Sequence, residues 1–125
     1  METKKKKILF IDDDNFLRAV FGKSLKDSGF EVETAENGKT GFEKLKTFSP
    51  DLVLLDLVMP EYTGFDFLKL KNEEGKHKDI PVVIVSSMAQ QEDIERAMEM
   101  GAVDYMTKDS MSLRVADKKI EKWFK

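Results

Sequence analysis

Residues 51–56 read DLVLLD, in which an uninterrupted apolar run at residues 52–55 is followed by Asp56. A short run without polar alternation is typical of a strand buried on both faces, as in a parallel sheet covered by helices. Four further segments are strand candidates. Residues 8–11 and 82–85 are continuous apolar runs, residues 102–106 are a weaker run, and residues 30–34 alternate between apolar and polar side chains. The alternating run is typical of a strand nearer an edge. The sequence therefore predicts five strands.

The segments between the strands show helical spacing of apolar residues. The first helix is predicted from Leu17 to Leu25 and ends at Gly29, and the fourth includes Ile94, Ala97 and Met98. The second predicted helix follows Asn37-Gly38, and the third follows Pro60 and Gly64. The fifth spans Leu113 to Trp123 or Phe124. Residues 72–79 are predicted as a connecting loop. Five β-α repeats predict a doubly wound parallel sheet with right-handed crossovers and helices on both faces.

Composition excludes several classes of protein. The chain has 125 residues with 41% apolar and 36% charged residues, as expected for one globular domain. No cysteine is present, so disulfides and cysteine-based zinc sites are excluded, and a single histidine, His77, excludes a multi-histidine metal centre. A net charge of −3 argues against binding to nucleic-acid phosphates. The longest apolar runs are too short for a membrane span, so we expect an intracellular soluble protein.

Charged and hydroxyl residues follow the predicted strands. They are Asp12, Asp13 and Asp14 after the first strand, Asp56 after the third, Ser86 and Ser87 at the fourth, and Lys108 after the fifth. Ligands of such sheets bind outside the carboxyl ends of the strands, so we expect these side chains to lie together. Taken singly, each has an ordinary role as a strand end or helix cap, and Asp14 suits a cap because it precedes the first helix.

The combination indicates phosphoryl chemistry. Neighbouring carboxylates repel one another unless a cation joins them, and Mg²⁺ prefers oxygen ligands and binds through one or two carboxylates plus a phosphate. A free oxygen of Asp56 can then attack a phosphoryl group to give an aspartyl phosphate. Lys108 would neutralise a phosphoryl oxygen, and a serine hydroxyl at the end of the fourth strand would donate to another.

The chain resembles a bacterial response-regulator receiver domain over essentially its whole length. The motifs that carry the resemblance are KILFIDDDNFLR, SPDLVLLDLVMPEYTGFDFL, IPVVIVSS and GAVDYMTK. The second is the most specific, with an apolar strand, Asp56, Met59-Pro60 and Gly64 in the family's spacing. The resemblance implies a flavodoxin-like, CheY-like (βα)5 sheet with strand order 2-1-3-4-5.

The resemblance also implies a role for each matching residue. Asp56 stands at the phosphoacceptor position and Lys108 at the position of the family's lysine. Asp12 and Asp13 stand at the acidic pair that binds Mg²⁺ together with Asp56, with the backbone carbonyl of Val58 as a further ligand. Ser86 stands at the switch hydroxyl and Tyr105 at the aromatic switch, so that phosphorylation would change the face formed by the fourth helix, fifth strand and fifth helix.

The family's partners follow from the same resemblance. A sensor histidine kinase or phosphotransfer protein would donate the phosphoryl group, and a downstream protein would read the changed face. We expect a cytoplasmic signalling domain over residues 1–125, with a basic start at residues 1–5. Its enzymatic activity would be limited to slow self-catalysed phosphorylation and dephosphorylation. We expect neither nucleic-acid binding nor membrane insertion. The chain would act through a separate partner, as a monomer or a phosphorylation-dependent dimer.

Three positions depart from the family pattern. Asp109 replaces the usual proline after Lys108, which favours a different loop shape because a non-proline cis bond costs about 3 kcal/mol. Ser87 replaces a smaller residue after Ser86. Val58 and Met88 are apolar, so neither can position a hydrolytic water by hydrogen bonding, and we expect a long-lived phosphorylated form.

Other interpretations of the sequence stay open. Ile11-Asp12-Asp13-Asp14 also fits the Asp-x-Asp motif of a haloacid-dehalogenase-type phosphohydrolase, with Asp12 as nucleophile and Asp14 as general acid. That interpretation leaves Asp56 and Gly64 unexplained. A second alternative is a receiver-like module that binds partners without phosphorylation. Of the methionines, Met98 and Met106 are expected in the core, whereas Met100 and Met111 are expected at the surface.

Overall fold

The computed structural model describes residues 5–86, 90–108 and 120. Strands and helices alternate along this part of the chain. The strands are β1 (Lys7–Ile11), β2 (Glu31–Ala35), β3 (Leu52–Leu55), β4 (Val82–Ser86) and β5 (Asp104–Thr107). The helices are α1 (Asn15–Asp27), α2 (Gly38–Phe48), α3 (Gly64–Glu74) and α4 (Gln91–Glu99). The predicted fifth helix lies outside the described residues except for Ile120, which is helical and buried.

The five strands form one parallel sheet in the order β2-β1-β3-β4-β5. This order and the alternation of strands with helices confirm the predicted fold class. β3 is buried at every position, as its continuous apolar run predicts. β2 lies at one edge, where Glu31 and Glu33 are exposed while Val32 and Ala35 are buried. The alternating segment is therefore an edge strand.

Two apolar clusters cover the two faces of the sheet. Alternate residues of one strand point to opposite faces, so Leu9 and Ile11 belong to one cluster and Ile8 and Phe10 to the other. The first cluster includes side chains of α2, α3 and α4: Leu45, Phe67, Leu68 and Ala97. The second includes side chains of α1 together with residue 120: Phe21, Leu25 and Ile120. Helix side chains therefore pack on both faces of the sheet.

Three local predictions are wrong. Helix α3 continues through Asn72 to Glu74, so the connection to β4 begins later than predicted, at Gly75 with φ of 75°. Met98, expected in the core, is 40% exposed, whereas Met100, expected at the surface, packs partly buried against the first cluster. The burial of Met106 is confirmed. Met88 and Met111 lie outside the described residues.

Lys71 on α3 is a buried cation, only 5% exposed. Its ammonium donates to the carbonyl of Lys78 at 3.4 Å, and burial lowers its pKa although the charges of Asp79 and Glu74 oppose the shift. A lowered pKa means that the unfolded chain holds this proton more tightly. The stability of the protein should therefore rise as the pH increases from the lowered pKa toward the ordinary lysine value.

We expect Lys71→Met to raise the free energy of unfolding by about 1 kcal/mol at pH 7, because an apolar side chain of similar length avoids burying a charge. Urea denaturation at pH 7 and about pH 10 measures the effect. The gain should shrink at the higher pH. Lys69→Met, at an exposed position of the same helix, is the control and should change little. A variant at residue 71 that is less stable than the parent would contradict the expectation.

Candidate functional site

The ends of β1 and β3 bring acidic residues to one edge of the sheet. The amide of Asp12 donates to the carbonyl of Ala35 at 3.0 Å, and the amide of Asp56 donates to the carbonyl of Ile11 at 2.9 Å. Both residues thus continue the backbone ladders by one position beyond their strands. Their side chains are almost fully buried, whereas Asp13 is exposed. The sheet register therefore sets the positions of these carboxylates.

Lys108, directly after β5, reaches across to the acidic residues. Its ammonium lies 2.8 Å from Oδ2 of Asp12 and 3.3 Å from Oδ2 of Asp56. The other oxygen of Asp56 accepts a hydrogen bond from the amide of Val58 at 3.3 Å. Asp12 Oδ1 accepts from the amide of Asp14 at 2.9 Å. The two buried carboxylates are thus oriented by one shared cation and by backbone amides.

Burial and charge change the proton affinities of these groups. Burial, together with the neighbouring carboxylate of Asp12, raises the pKa of Asp56 to about 6, although Lys108 and the amide of Val58 oppose the shift. Burial alone would lower the pKa of Lys108, but its hydrogen bond to Asp12 and the charges of both carboxylates raise that pKa above its ordinary value. Lys108 therefore stays protonated at neutral pH.

The acidic cluster suits a hard cation. Asp12, Asp13 and Asp56 each offer a carboxylate oxygen, and these atoms lie within 4.8 Å of one another. Among the described residues, the polar partner of the buried Asp12 Oδ2 is the ammonium of Lys108, 2.8 Å away. Three carboxylates with one nearby ammonium leave a net negative charge, and Mg²⁺ prefers oxygen ligands of this kind. The donor set therefore fits this ion.

The remaining predicted site residues surround this cluster. Ser86 is the buried last residue of β4, paired in register with Thr107 of β5. Tyr105, on β5, is 40% exposed, and the side chain of Val58 is 63% exposed. Asp109, Ser87 and Met88, the other positions at which the sequence departs from the family pattern, lie outside the described residues.

Asp14 has a different environment from the other aspartates. Its Oδ1 accepts hydrogen bonds from the amides of Phe16 and Leu17 at 2.9 and 3.1 Å, so it caps α1. The expected capping role is therefore confirmed. This carboxylate is not part of the acidic cluster found in the described residues. The geometry gives no support to Asp14 as the general acid of a phosphohydrolase.

The segment after Asp56 is fixed by the start of α3. Thr63 and Asp66 form a capping box, in which the amide of Thr63 donates to Asp66 Oδ2 at 2.8 Å and the amide of Asp66 donates to the hydroxyl of Thr63 at 3.3 Å. The amide of Gly64 donates to the carbonyl of Leu57 at 3.2 Å. The last of these bonds ties α3 back to Leu57, the residue that follows Asp56. The loop that carries the Val58 carbonyl is consequently held at both ends.

Arg18 is a residue near the site that the sequence analysis did not single out. Its guanidinium donates to the backbone carbonyl of Asp12 at 2.6 Å. The available signal is its position one turn into α1, because a long cation there can reach back to the acidic residues that precede the helix. Spacing alone does not show this contact, since Arg18 could equally extend into solvent.

The strand order and the acidic cluster at the carboxyl edge of the sheet define a CheY-like α/β domain. The family described as response regulator receiver domain matches residues 8–118. The chain belongs to that family.

Several known proteins are similar to this chain. PhoB, the phosphate regulon transcriptional regulatory protein of Klebsiella pneumoniae, is 36% identical over 103 residues, which are 82% of this chain and 45% of that protein. KdpE, a transcriptional regulatory protein of Staphylococcus aureus, is 36% identical over 102 residues, 82% of this chain and 43% of that protein. The chain thus spans less than half the length of these relatives.

The structure of the chemotaxis protein CheY4 of Vibrio cholerae superposes with a TM-score of 0.88 and 26% identity, covering 95% of this chain and 98% of that one. Receiver domains are signalling domains of two-component systems and bind Mg²⁺ at an acidic pocket. None of the helices in the described ranges combines the length and apolar content needed to cross a membrane.

Proposed function

We propose that this chain is a phosphorylation-dependent switch of a two-component or phosphorelay system, with Asp56 as the phosphoacceptor. The observation that carries the proposal is the position of the Asp56 carboxylate. It is buried at the carboxyl end of the central strand β3, beside a second carboxylate and 3.3 Å from the ammonium of Lys108. An oxygen nucleophile beside a fixed cation is suited to receive a phosphoryl group, whose negative charge needs compensation.

The transfer follows from the chemistry of an acyl phosphate. A carboxylate oxygen of Asp56 attacks the phosphorus of a phosphohistidine on a sensor kinase or phosphotransfer protein. A P–O bond to Asp56 forms, the P–N bond breaks, and the leaving imidazole retains the electron pair of that bond. Lys108 compensates charge on the transferred group as a point charge. The reaction requires the ionised form of Asp56.

Mg²⁺ would be held by the carboxylates of Asp12, Asp13 and Asp56 and by the backbone carbonyl of Val58. When bound, the ion compensates the charge of the phosphoryl oxygens as a Lewis acid. Asp12 keeps its orientation through the amide of Asp14, and Asp13 extends from the exposed side of the cluster. The protein thus supplies the ligands from two neighbouring strand ends.

Signalling would use Ser86 and Tyr105. A phosphoryl group on Asp56 offers the Ser86 hydroxyl a charged acceptor, because β4 lies beside β3 in the sheet. Movement of Ser86 toward that acceptor would leave space for Tyr105, which is partly exposed on β5. The surface formed by α4, β5 and the predicted fifth helix would then change, and a downstream protein would read it. The shift is limited by the difference in phosphoryl interactions between the two states.

The partners and setting of the proposal come from the family. A histidine kinase or phosphotransfer protein donates the group, and a downstream effector responds, with the domain in the cytoplasm where ATP-dependent kinases act. Residues 1–125 would form one receiver domain, as a monomer or a phosphorylation-dependent dimer. Its own catalysis would be limited to slow phosphorylation and dephosphorylation of Asp56.

Acetyl phosphate provides the direct test. The protein is incubated with acetyl phosphate and Mg²⁺, and its intact mass is recorded before and after treatment with hydroxylamine, which cleaves acyl phosphates. We expect one phosphoryl group that is lost on treatment and is absent when EDTA replaces Mg²⁺. No incorporation would contradict the proposal and favour a module that binds partners without phosphorylation. Steady release of phosphate that requires Asp12 but not Asp56 would instead favour the phosphohydrolase.

Val58→Asn is expected to shorten the lifetime of the phosphorylated form. The side chain of Val58 is 63% exposed beside Asp56 and cannot hydrogen-bond to water, whereas an amide at this position can orient an attacking water. Decay of the phosphorylated protein after removal of acetyl phosphate, followed by intact mass, should be several-fold faster in the variant. Val58→Thr is the control variant, because threonine adds a polar group at nearly the size of valine and so separates the effect of polarity from that of side-chain size. An unchanged decay rate in Val58→Asn would refute the expectation.

A further inference from the structure

Arg18 joins the end of β1 to the start of α1. One guanidinium nitrogen, Nη1, donates to the carbonyl of Asp12 at 2.6 Å, and the other, Nη2, donates to Oδ1 of Asn15. The backbone amide of Arg18 also donates to the carbonyl of Asp14 within the first turn of the helix. Resting on the function proposed above, we propose that Arg18 is a positioning residue that orients the Asp12–Asp13 pair for Mg²⁺.

The carbonyl of Asp12 is an effective point of control. It belongs to the peptide group whose amide nitrogen is that of Asp13, and this group is planar. A hydrogen bond that fixes the carbonyl therefore fixes the plane from which Asp13 extends. Two further hydrogen bonds restrain Asp12. Its backbone amide donates to the carbonyl of Ala35, and its Oδ1 accepts from the amide of Asp14. Arg18 adds the restraint that acts on the next residue.

Asp13 depends on this restraint more than Asp12 does. Its side chain is exposed and makes no hydrogen bond or ion pair with the residues in ranges 5–86, 90–108 and 120. Asp12, by contrast, is completely buried and its carboxylate lies against Lys108. Among the described residues, the backbone is thus the restraint on Asp13: it fixes the point from which the carboxylate extends, while the side chain keeps its rotamers. Loss of the Arg18 hydrogen bond should allow the Asp12–Asp13 peptide to rotate and separate the two ligands.

The charge of Arg18 and its positioning role are expected to change Mg²⁺ affinity in opposite directions. A cation close to a metal site repels the metal, so removing its charge alone would strengthen Mg²⁺ binding. A positioning role predicts weaker binding in the same variant, because hydrogen-bonded groups behind metal ligands typically change affinity by 10-fold to 100-fold, as an order of magnitude. The sign of the change therefore separates the two roles of Arg18.

The test measures Mg²⁺ affinity of the unphosphorylated protein by isothermal titration calorimetry. Arg18→Met should raise the Kd about tenfold, since Met retains most of the apolar stem but no donor. Arg18→Lys should recover part of the affinity, because an ammonium can still donate to the Asp12 carbonyl. Asn15→Ala removes the second partner of the guanidinium and should give a smaller loss. Lys23→Met is the charge-matched control on α1, where Lys23 is exposed and pairs with Asp27 at 3.0 Å.

A melting temperature in EDTA distinguishes positioning from a structural role. Arg18→Met should remain folded, and weaker Mg²⁺ binding in a folded variant supports the proposal. A lower melting temperature with an Mg²⁺ Kd within twofold of the parent, or tighter binding, would overturn it. Asp13→Asn should lose most of the Mg²⁺ affinity of the parent. If it does not, or if the parent binds no Mg²⁺, the proposed metal site itself is wrong and the role of Arg18 is rejected with it.

Discussion

Asp56→Asn is expected to abolish phosphoryl incorporation from acetyl phosphate, with no modified species in the intact mass. The amide retains the size of the carboxylate and can still lie beside Lys108, but it lacks the anionic oxygen that attacks phosphorus. The variant keeps a polar side chain at the buried end of β3, where Asp56 is 3% exposed. The effect should therefore be complete, and the fold should be retained.

Asp14→Asn is the matched control for this variant. It makes the same chemical change three residues beyond the end of β1, where the side chain caps α1. Asn caps helices as well as Asp does, so stability should be nearly unchanged. The control should incorporate the phosphoryl group at the rate of the parent. Modification of Asp56→Asn at the same rate would place the acceptor elsewhere, and loss of reaction in Asp14→Asn would favour the Asp-x-Asp interpretation.

Gly64→Ala is expected to destabilise the protein by about 3 kcal/mol, because the new methyl group would overlap backbone atoms. Its Cβ would lie 2.4 Å from the carbonyl oxygen of Asp56 and 2.9 Å from the Cα of Leu57. Neither atom belongs to a flexible side chain, so the whole segment after β3 must move. Urea denaturation monitored by circular dichroism measures the loss, and we expect slower phosphorylation of the folded fraction as well.

Gly22→Ala is the matched control for Gly64→Ala, and the same substitution is expected to raise stability there. The Cβ there would meet Thr34 Cγ2 at 3.7 Å, an ordinary contact distance, within helix α1. Alanine favours a helix interior over glycine by about 1 kcal/mol, so this variant should be more stable than the parent. Equal losses in the two variants would mean that the close approach of α3 to Asp56 does not limit residue 64.

The fold was largely predictable because its strands are unusually explicit in the sequence. LVLL and VVIV are too short for helices and too apolar for exposed strands, and the intervening segments carry caps such as Asn37. The rotation of α4 was not predictable. Met98 and Met100 flank the stripe formed by Ile94 and Ala97 on opposite sides, so helical period alone does not say which one faces the core. Tertiary packing decides it: Met100 packs against the first cluster, and Asn72 of α3 donates to its backbone carbonyl.

The candidate site was predictable to the level of strand ends. A parallel sheet brings the residues after β1, β3 and β5 to one edge, which is why the acidic residues and Lys108 meet. The sequence did not show that Lys108 lies closer to Asp12 than to Asp56, because that depends on sheet twist and side-chain rotamer. Nor did it show the contact of Arg18 with the Asp12 carbonyl. Backbone acceptors leave no trace in the sequence.

The charged edge strand β2 has a consequence for behaviour at high concentration. An unpaired strand edge is a template on which another chain can add a strand, and such addition can continue into aggregates. Glu31 and Glu33 place two negative charges along this edge, so a second copy aligned beside it would meet like charges. Addition of a strand at the β2 edge is therefore disfavoured.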